Sequence, residues 1–289
     1  MQRLQARNSD LSSGLRVRRL LPQLARRSVG PFVFFDHFGP VTLAPEADSD
    51  VGPHPHIGLA TVTYLFDGRF VHRDSLGTVQ EIAPGAINWM SAGRGIVHSE
   101  RAPADERGRS RRLHGLQLWV ALPSELEESD PSFQHVPAEA IPALDVAGAR
   151  VRVLVGEAFG ARSPVRAASP TVYLDIELPA GANWPLPAIA DELAIYSPLE
   201  ALDLSGEPVA PRQLAVLDGA TRVRAAHPSR LVVIGGASLG PRHMWWNFVS
   251  SERARIERAA AQWESGGFDE IEGDVDRVPM PRFDPRKGS

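Results

Sequence analysis

The sequence predicts an all-β protein built from two sandwich or barrel domains, and three observations carry that prediction. Gly and Pro number 25 each and cut most of the chain into short apolar runs, as expected of many strands joined by tight turns. Several runs alternate with period two, Val172, Leu174, Ile176 and Leu178 most clearly, which puts one strand face on a core. With 43% hydrophobic residues over 289 positions, the chain has enough apolar side chain for one large β domain or two ordinary ones.

Taken in order, the predicted strands fall on residues 32–35, 61–66, 116–122, 151–155, 172–178, 193–196 and 231–234. Residues 123–142 break the pattern with Glu125, Glu127, Glu128, Asp130 and Pro131 and read as a linker. This gives an amino-terminal domain over 1–130, a second over 131–245, and a carboxy-terminal helix and tail over 246–289. Residues 250–263 lack Gly and Pro and place Ile256, Ala260 and Trp263 on one helical stripe, with no capping box at the start. Beyond Gly266 the chain is acidic and proline-rich and reads as an extended tail.

Composition excludes several function classes. The absence of cysteine removes disulfides, thiolate zinc sites, iron–sulfur clusters and cysteine nucleophiles together. A formal net charge of -4 provides no overall basic field for nucleic acid or for an anionic membrane surface. The one basic loop, Arg107, Arg109, Arg111 and Arg112, lacks interleaved aromatics and reads as a solvated face. No apolar run spans a bilayer and the first ten residues carry no signal-peptide core, so the expected location is the cytoplasm.

The chemistry-bearing residues sit in two pairs. His54-Pro55-His56 sends two imidazoles to one face of an extended backbone, and His98-Ser99-Glu100 repeats that geometry. Three neutral nitrogen donors and a carboxylate suit a borderline divalent metal rather than calcium or magnesium. Iron, nickel, manganese, zinc and copper all fit, and a buried polar cluster without metal is the alternative. The turn Gly93-Arg94-Gly95 permits a tight reversal that brings the strand of His98 beside the strand of His56. The second half carries only His227 and His243 as candidates, so one site is expected.

The remaining polar and aromatic residues near these pairs have bland readings. His72 and Asp74 read as turn residues with a local hydrogen bond, the alternative being a pocket mouth or the orientation of a ligand imidazole. His37 and His114 read as structural. Trp89, Trp119, Trp245 and Trp246 read as core, with stacking on an aromatic substrate as the alternative.

At this point the residues resemble a known family. Gly52-Pro53-His54-Pro55-His56-Ile57-Gly58, Thr61-Val62-Thr63-Tyr64-Leu65, His72-Arg73-Asp74-Ser75-Leu76-Gly77 and the stretch from Asn88 through His98 to Glu100 closely resemble the metal site of the pirins. Gly30-Pro31-Phe32, Asp36-His37-Phe38-Gly39-Pro40 and His114-Gly115-Leu116-Gln117-Leu118-Trp119-Val120 look like further pirin motifs in the same order. The resemblance is specific over residues 29–123 and architectural beyond. Pro241-Arg242-His243-Met244-Trp245-Trp246-Asn247 is similar to a bacterial subgroup.

The resemblance implies a bicupin fold, two jelly-roll (double-stranded β-helix) cupin barrels of which the amino-terminal one binds a metal, commonly iron. It implies that His54, His56, His98 and Glu100 are the ligands. Where many cupins have a glutamate four residues after the second histidine, this chain has Ala60, implying a more apolar pocket wall. Pirins cleave flavonols such as quercetin with dioxygen, so the implied activity is that of a quercetin 2,3-dioxygenase, with Glu100 as the base that takes the flavonol proton. The other reading is a binding protein, switched by the oxidation state of the metal, that docks on a metabolic enzyme or regulator without turnover. Another cupin chemistry, such as sugar isomerisation or oxalate-type decarboxylation, is a third.

Overall fold

The protein is described by a computed structural model covering residues 1–10 and 15–282. All seven predicted strand regions fall within or overlap strands. Residues 32–35 lie in Phe32–Leu43, 61–66 in Leu59–Asp67 and 151–155 in Ala149–Val155. Residues 172–178 lie in Thr171–Leu178, 193–196 in Glu192–Tyr196 and 231–234 in Ser229–Gly236, while 116–122 overlaps Arg111–Ala121. The fold is mostly β with one carboxy-terminal helix. Among the described residues, no helix is long and apolar enough to cross a membrane.

The chain forms two compact units. One comprises Met1–Asn8, Arg18–His37 and Val136–Leu239. Its seven-stranded antiparallel sheet places Gln2–Gln5 beside Gln213–Val216, and Thr171–Leu178 between Ser229–Gly236 and Ala149–Val155. A four-stranded sheet of Ala182–Leu186, Thr221–Ala225, Leu202–Leu204 and Glu207–Val209 belongs to the same unit. The period-two residues Val172, Leu174, Ile176 and Leu178 enter one core with Trp184, Leu204, Val223 and Val233. Burying side chains of this size contributes about 1.5–3 kcal/mol each. The opposite face of that strand is buried as well: Tyr173 and Asp175 are out of solvent, and Asp175 accepts two hydrogen bonds from Arg230, at 2.8 and 2.6 Å. A carboxylate paired in this way tolerates burial.

The other unit comprises Phe38–His135, the chain from Gly240 onward and a short amino-terminal stretch. One of its sheets orders Val51–His56, Ile96–Arg101, Phe70–Asp74 and Val79–Ile82; in the other, Leu59–Asp67 lies between Ile87–Ser91 and Arg111–Ala121. Leu65, Phe70, Ile82, Leu113 and Phe38, drawn from both sheets, share one core. Val51–His56 is the edge of its sheet, which suits Pro53 and Pro55 because an edge strand has no ladder bonds to lose on its outer side.

Residues 123–142 are more than a linker. Ser132–Val136 forms a strand on the edge next to Ile87–Ser91. Glu127 is buried and accepts from the Ser250 hydroxyl at 2.7 Å and the Ser251 amide at 2.8 Å. The helix spans Arg253–Glu264 with Ile256, Ala260 and Trp263 buried, and no side chain caps its start. Past it, Phe268 and Ile271 join the core of Ile57, Val97 and Phe248, and the Val278 amide donates to the Pro53 carbonyl at 2.8 Å. The tail thus lies on the body; its end, residues 283–289, is outside the described residues.

Candidate metal centre

The His54–His56 pair and the His98–Glu100 pair lie on two strands that pair with each other. Ile96–Arg101 runs antiparallel to Val51–His56 with His98 opposite His54 and Ile96 opposite His56, and the register slips between His98 and Glu100. The Gly93-Arg94-Gly95 turn makes this possible by carrying the chain from one sheet to the other. Gly93 has φ +51 and a Cβ there would stand 2.0 Å from the Ser129 carbonyl oxygen; one on Gly95 would meet the Phe268 ring at 2.7 Å. Neither position admits a side chain without movement.

One nitrogen from each of His54, His56 and His98 lies within 4.8 Å of the others, the spacing of groups that can share one ion. No other such group of His, Cys, Asp or Glu occurs among the described residues. Backbone carbonyls fix two of the tautomers. His54 Nδ1 is 2.8 Å from the Gly52 oxygen and His56 Nδ1 is 3.0 Å from the Asn247 oxygen. A carbonyl only accepts, so both Nδ1 atoms carry the proton and both Nε2 atoms present a lone pair. His98 Nε2 is buried without a hydrogen-bond partner. A buried polar atom left bare costs about 1–3 kcal/mol, and a metal bond would remove that cost. The residues therefore fit a transition metal, by donor type and by this orphaned nitrogen.

Electrostatics favours the same state. Burial pushes the His54 imidazole down to about 4. Burial, with smaller contributions from neighbouring imidazoles, holds His56 and His98 well below the ordinary histidine range. All three rings are neutral at pH 7 and available as ligands.

Glu100 stands apart from the trio: its carboxylate is not among the atoms grouped within 4.8 Å. The Thr63 hydroxyl lies 3.4 Å from Glu100 Oε1 and 2.9 Å from Gln117 Oε1. Thr63 and Gln117 are opposite one another on neighbouring strands, so the pairing register sets the Thr63 hydroxyl within reach of both Gln117 and Glu100. Burial raises the Glu100 pKa, with His72 and Thr63 opposing. The Trp119 ring packs edge-on against His56 at 5.1 Å between centroids. Thr63, Gln117 and Asn247 lie in recognisable motifs, but the contacts that bring them to Glu100, to each other and to His56 span 37, 54 and 191 residues and leave no local pattern.

Asp74 does serve a turn, since its Oδ1 accepts the amides of Leu76 and Thr78 at 3.0 Å each. His72 and Asp74 are both buried, and their ring and carboxylate also meet beside His98. His37 is buried with its Nδ1 2.6 Å from the Tyr196 hydroxyl, and His114 packs on Phe66; neither joins the trio. Trp89 is core and donates to Ser91 at 3.1 Å, while Trp245 and Trp246 pack with Phe248. Of the basic loop, Arg107 pairs with Asp50 at 2.6 Å, Arg111 reaches the Ala47 carbonyl at 2.9 Å and Arg112 pairs with Asp67 at 2.8 Å. Ala60 is fully buried.

The chain is similar to known proteins along most of its length. The family model described as Pirin matches residues 14–120, and that described as Pirin C-terminal cupin domain matches 173–269. A pirin-like protein of Caulobacter vibrioides is 46% identical over 267 residues, covering 90% of this chain and 92% of its own. A crystal structure of quercetin 2,3-dioxygenase from Acinetobacter baumannii is similar at a TM-score of 0.91 and 33% identity, over 98% of this chain and 95% of that one. A bacterial pirin of Escherichia coli in complex with nickel(II) shares the fold, with a TM-score of 0.64 at 17% identity over 82% of this chain and 99% of that one.

Proposed function

This chain belongs to the pirin family, and from that premise we propose that it is a metal-dependent dioxygenase opening the ring of a flavonol such as quercetin. In this reading His54, His56, His98 and Glu100 hold one divalent ion, iron(II) in the resting enzyme. The observation that carries it is the bare, buried Nε2 of His98 beside two imidazoles whose Nδ1 protons are committed to backbone carbonyls. The similarity to a quercetin 2,3-dioxygenase along nearly the whole chain supports the substrate class and the use of dioxygen.

A metal held there by these residues would supply Lewis-acid chemistry toward a substrate oxygen and dioxygen. The chain's own residues do the rest. Glu100 takes the proton of the flavonol 3-hydroxyl, and its raised pKa brings it nearer to the range where a carboxylate accepts a proton readily at neutral pH. Glu100 would complete the ligand set, and a carboxylate held by Thr63 rather than grouped with the trio would be free to act as the base when substrate is bound. Trp119, set against His56, and the apolar Ala60 position suit an aromatic substrate.

The test is oxygen uptake with quercetin after loading the metal-free protein with iron, nickel or manganese. Uptake is expected with at least one metal and its loss in His56→Ala. No uptake above the metal-free control with any of them would overturn the assignment.

A further inference from the structure

Behind His98 stands a chain of hydrogen-bonding groups that the proposed ligand set does not use. His98 Nδ1 lies 3.5 Å from His72 Nδ1, and His72 Nε2 lies 2.9 Å from Asp74 Oδ2. All three side chains are buried, at 1%, 5% and 1% exposure for His98, His72 and Asp74. Strand register explains the alignment: Asp74 is directly opposite His98, and His72, two residues earlier, is opposite Glu100. Phe133 stacks on the His72 ring at 4.4 Å and 20°, which fixes its plane.

The donor and acceptor roles along this chain follow from its far end. Asp74 Oδ1 is committed to two backbone amides, and hydrogen bonds from His72 and Thr78 outweigh burial to keep the carboxyl below its ordinary pKa. An ionised carboxylate only accepts, so His72 carries its proton on Nε2 and offers a lone pair at Nδ1. That lone pair meets His98 Nδ1, which must then be the protonated nitrogen of its ring. The remaining lone pair of His98 is on Nε2, the atom that is buried and bare. The geometry points to His72 and Asp74 as positioning residues that set the His98 tautomer for metal capture through a carboxylate–imidazole–imidazole relay. Outer groups of this kind raise ligand basicity and hold ring orientation. The inference rests on the metal assignment above.

The test uses the full chain stripped of metal, at pH 8, with nickel(II) as the probe and a chromophoric chelator as competitor. His72→Phe keeps the aromatic volume against Phe133 and removes the acceptor; nickel affinity is expected to fall roughly 10- to 100-fold. His72→Gln restores an acceptor oxygen near His98 Nδ1 and is expected to recover most of that loss. Asp74→Asn keeps the turn acceptor but puts an NH2 group toward His72, which reverses both tautomers. Long-range nitrogen–proton NMR of the histidine rings in the metal-free protein should show His98 protonated on Nδ1 in the wild type and on Nε2 in Asp74→Asn. This spectroscopic readout stands even where a variant binds no nickel. Wild-type nickel affinity in His72→Phe, or a wild-type His98 protonated on Nε2, would overturn the relay. Failure of the wild type to bind any metal would instead overturn the site itself, with the tautomers still readable.

Discussion

The His56 imidazole donates from Nδ1 to the backbone carbonyl of Asn247, 191 residues further along the chain, at 3.0 Å. The carboxy-terminal segment therefore sets the tautomer of one of the three clustered histidines. Because the acceptor is main chain, Asn247→Ala should leave metal affinity within about threefold of wild type, a change of under ~1 kcal/mol. A chain ending at Leu239 loses that carbonyl and the aromatic cluster of Trp246, Phe248 and Trp263. It should bind no metal at micromolar concentration in a chelator competition. Tight binding by the truncated chain would show that the segment is dispensable.

Metal should stabilise the fold by mass action. A ligand that binds only the folded state adds about 2.7 kcal/mol at a hundred times its Kd, which corresponds to a rise of several degrees in Tm. The rise is expected for wild type and is expected to vanish in His54→Ala, His56→Ala and His98→Ala, each followed by differential scanning fluorimetry with and without iron(II) or nickel(II). An equal rise in His98→Ala would place the metal elsewhere.

Much of this arrangement was legible in the sequence because it is written in local periods. His54 and His56, and His98 and Glu100, are two residues apart, and an extended backbone sends such pairs to one side. The alternation of Val172, Leu174, Ile176 and Leu178 likewise announces an inward face. What local pattern cannot carry is the exchange of ends, in which Gln2–Gln5 pairs with Gln213–Val216 while residues beyond Gly240 group with the histidine-bearing unit. Charge misled at Glu127, which reads as part of a linker but is buried against Ser250 and Ser251. Its partners lie more than a hundred residues away, and only they make its burial tolerable. Asp74 is different: its turn-capping oxygen and the one that meets His72, two residues earlier on the same strand, are both local, whereas the approach of His72 to His98 exists only because two strands pair.

Asp274 ties the tail to the strand that bears His98 and Glu100. Its carboxylate accepts from the Ser99 hydroxyl at 2.7 Å and from Arg101 Nε at 3.1 Å. These bonds, with Arg101 a further source of positive charge, keep the group below its ordinary pKa although burial opposes them. Asp274→Ala leaves Arg101 with Asp50 as a more distant partner, at 3.6 Å. Loss of a part-buried, charge-assisted contact of this kind should lower stability by about 1–3 kcal/mol. Urea unfolding of the metal-free variant measures it, and a midpoint equal to wild type would show that the clasp contributes nothing.

The metal-free protein should lose stability on mild acidification. The unfolded chain protonates histidine near 6.5, whereas folded His54 resists until about 4, and His56 and His98 are shifted the same way. Between those values the unfolded state binds more protons, so stability is present above pH 6.5 and drains away as the pH falls toward 4. For His54 alone the full loss is roughly 3 kcal/mol. Glu100 acts oppositely, because its raised pKa lets the folded state take a proton first. Three imidazoles outweigh one carboxyl, and the urea midpoint should drop between pH 7 and pH 5. A midpoint that holds or rises over that interval would contradict the buried neutral trio.

Glu100→Gln separates proton transfer from metal binding. Glutamine keeps the shape of the side chain and can still accept from Thr63, but it cannot take a proton from a flavonol hydroxyl. Three imidazoles remain to hold the ion, so elemental analysis should find metal retained. Turnover should fall by about 10²–10⁴, the usual contribution of a positioned base. Thr63→Val removes the hydroxyl that Glu100 and Gln117 share and leaves the carboxylate in place. Its expected loss is smaller, roughly tenfold to a hundredfold, because only the orientation of the base is disturbed. Oxygen-electrode rates with quercetin measure both. Wild-type turnover in metal-loaded Glu100→Gln would assign the proton to another acceptor, and a larger loss in Thr63→Val than in Glu100→Gln would make the hydroxyl, not the carboxylate, the group that matters.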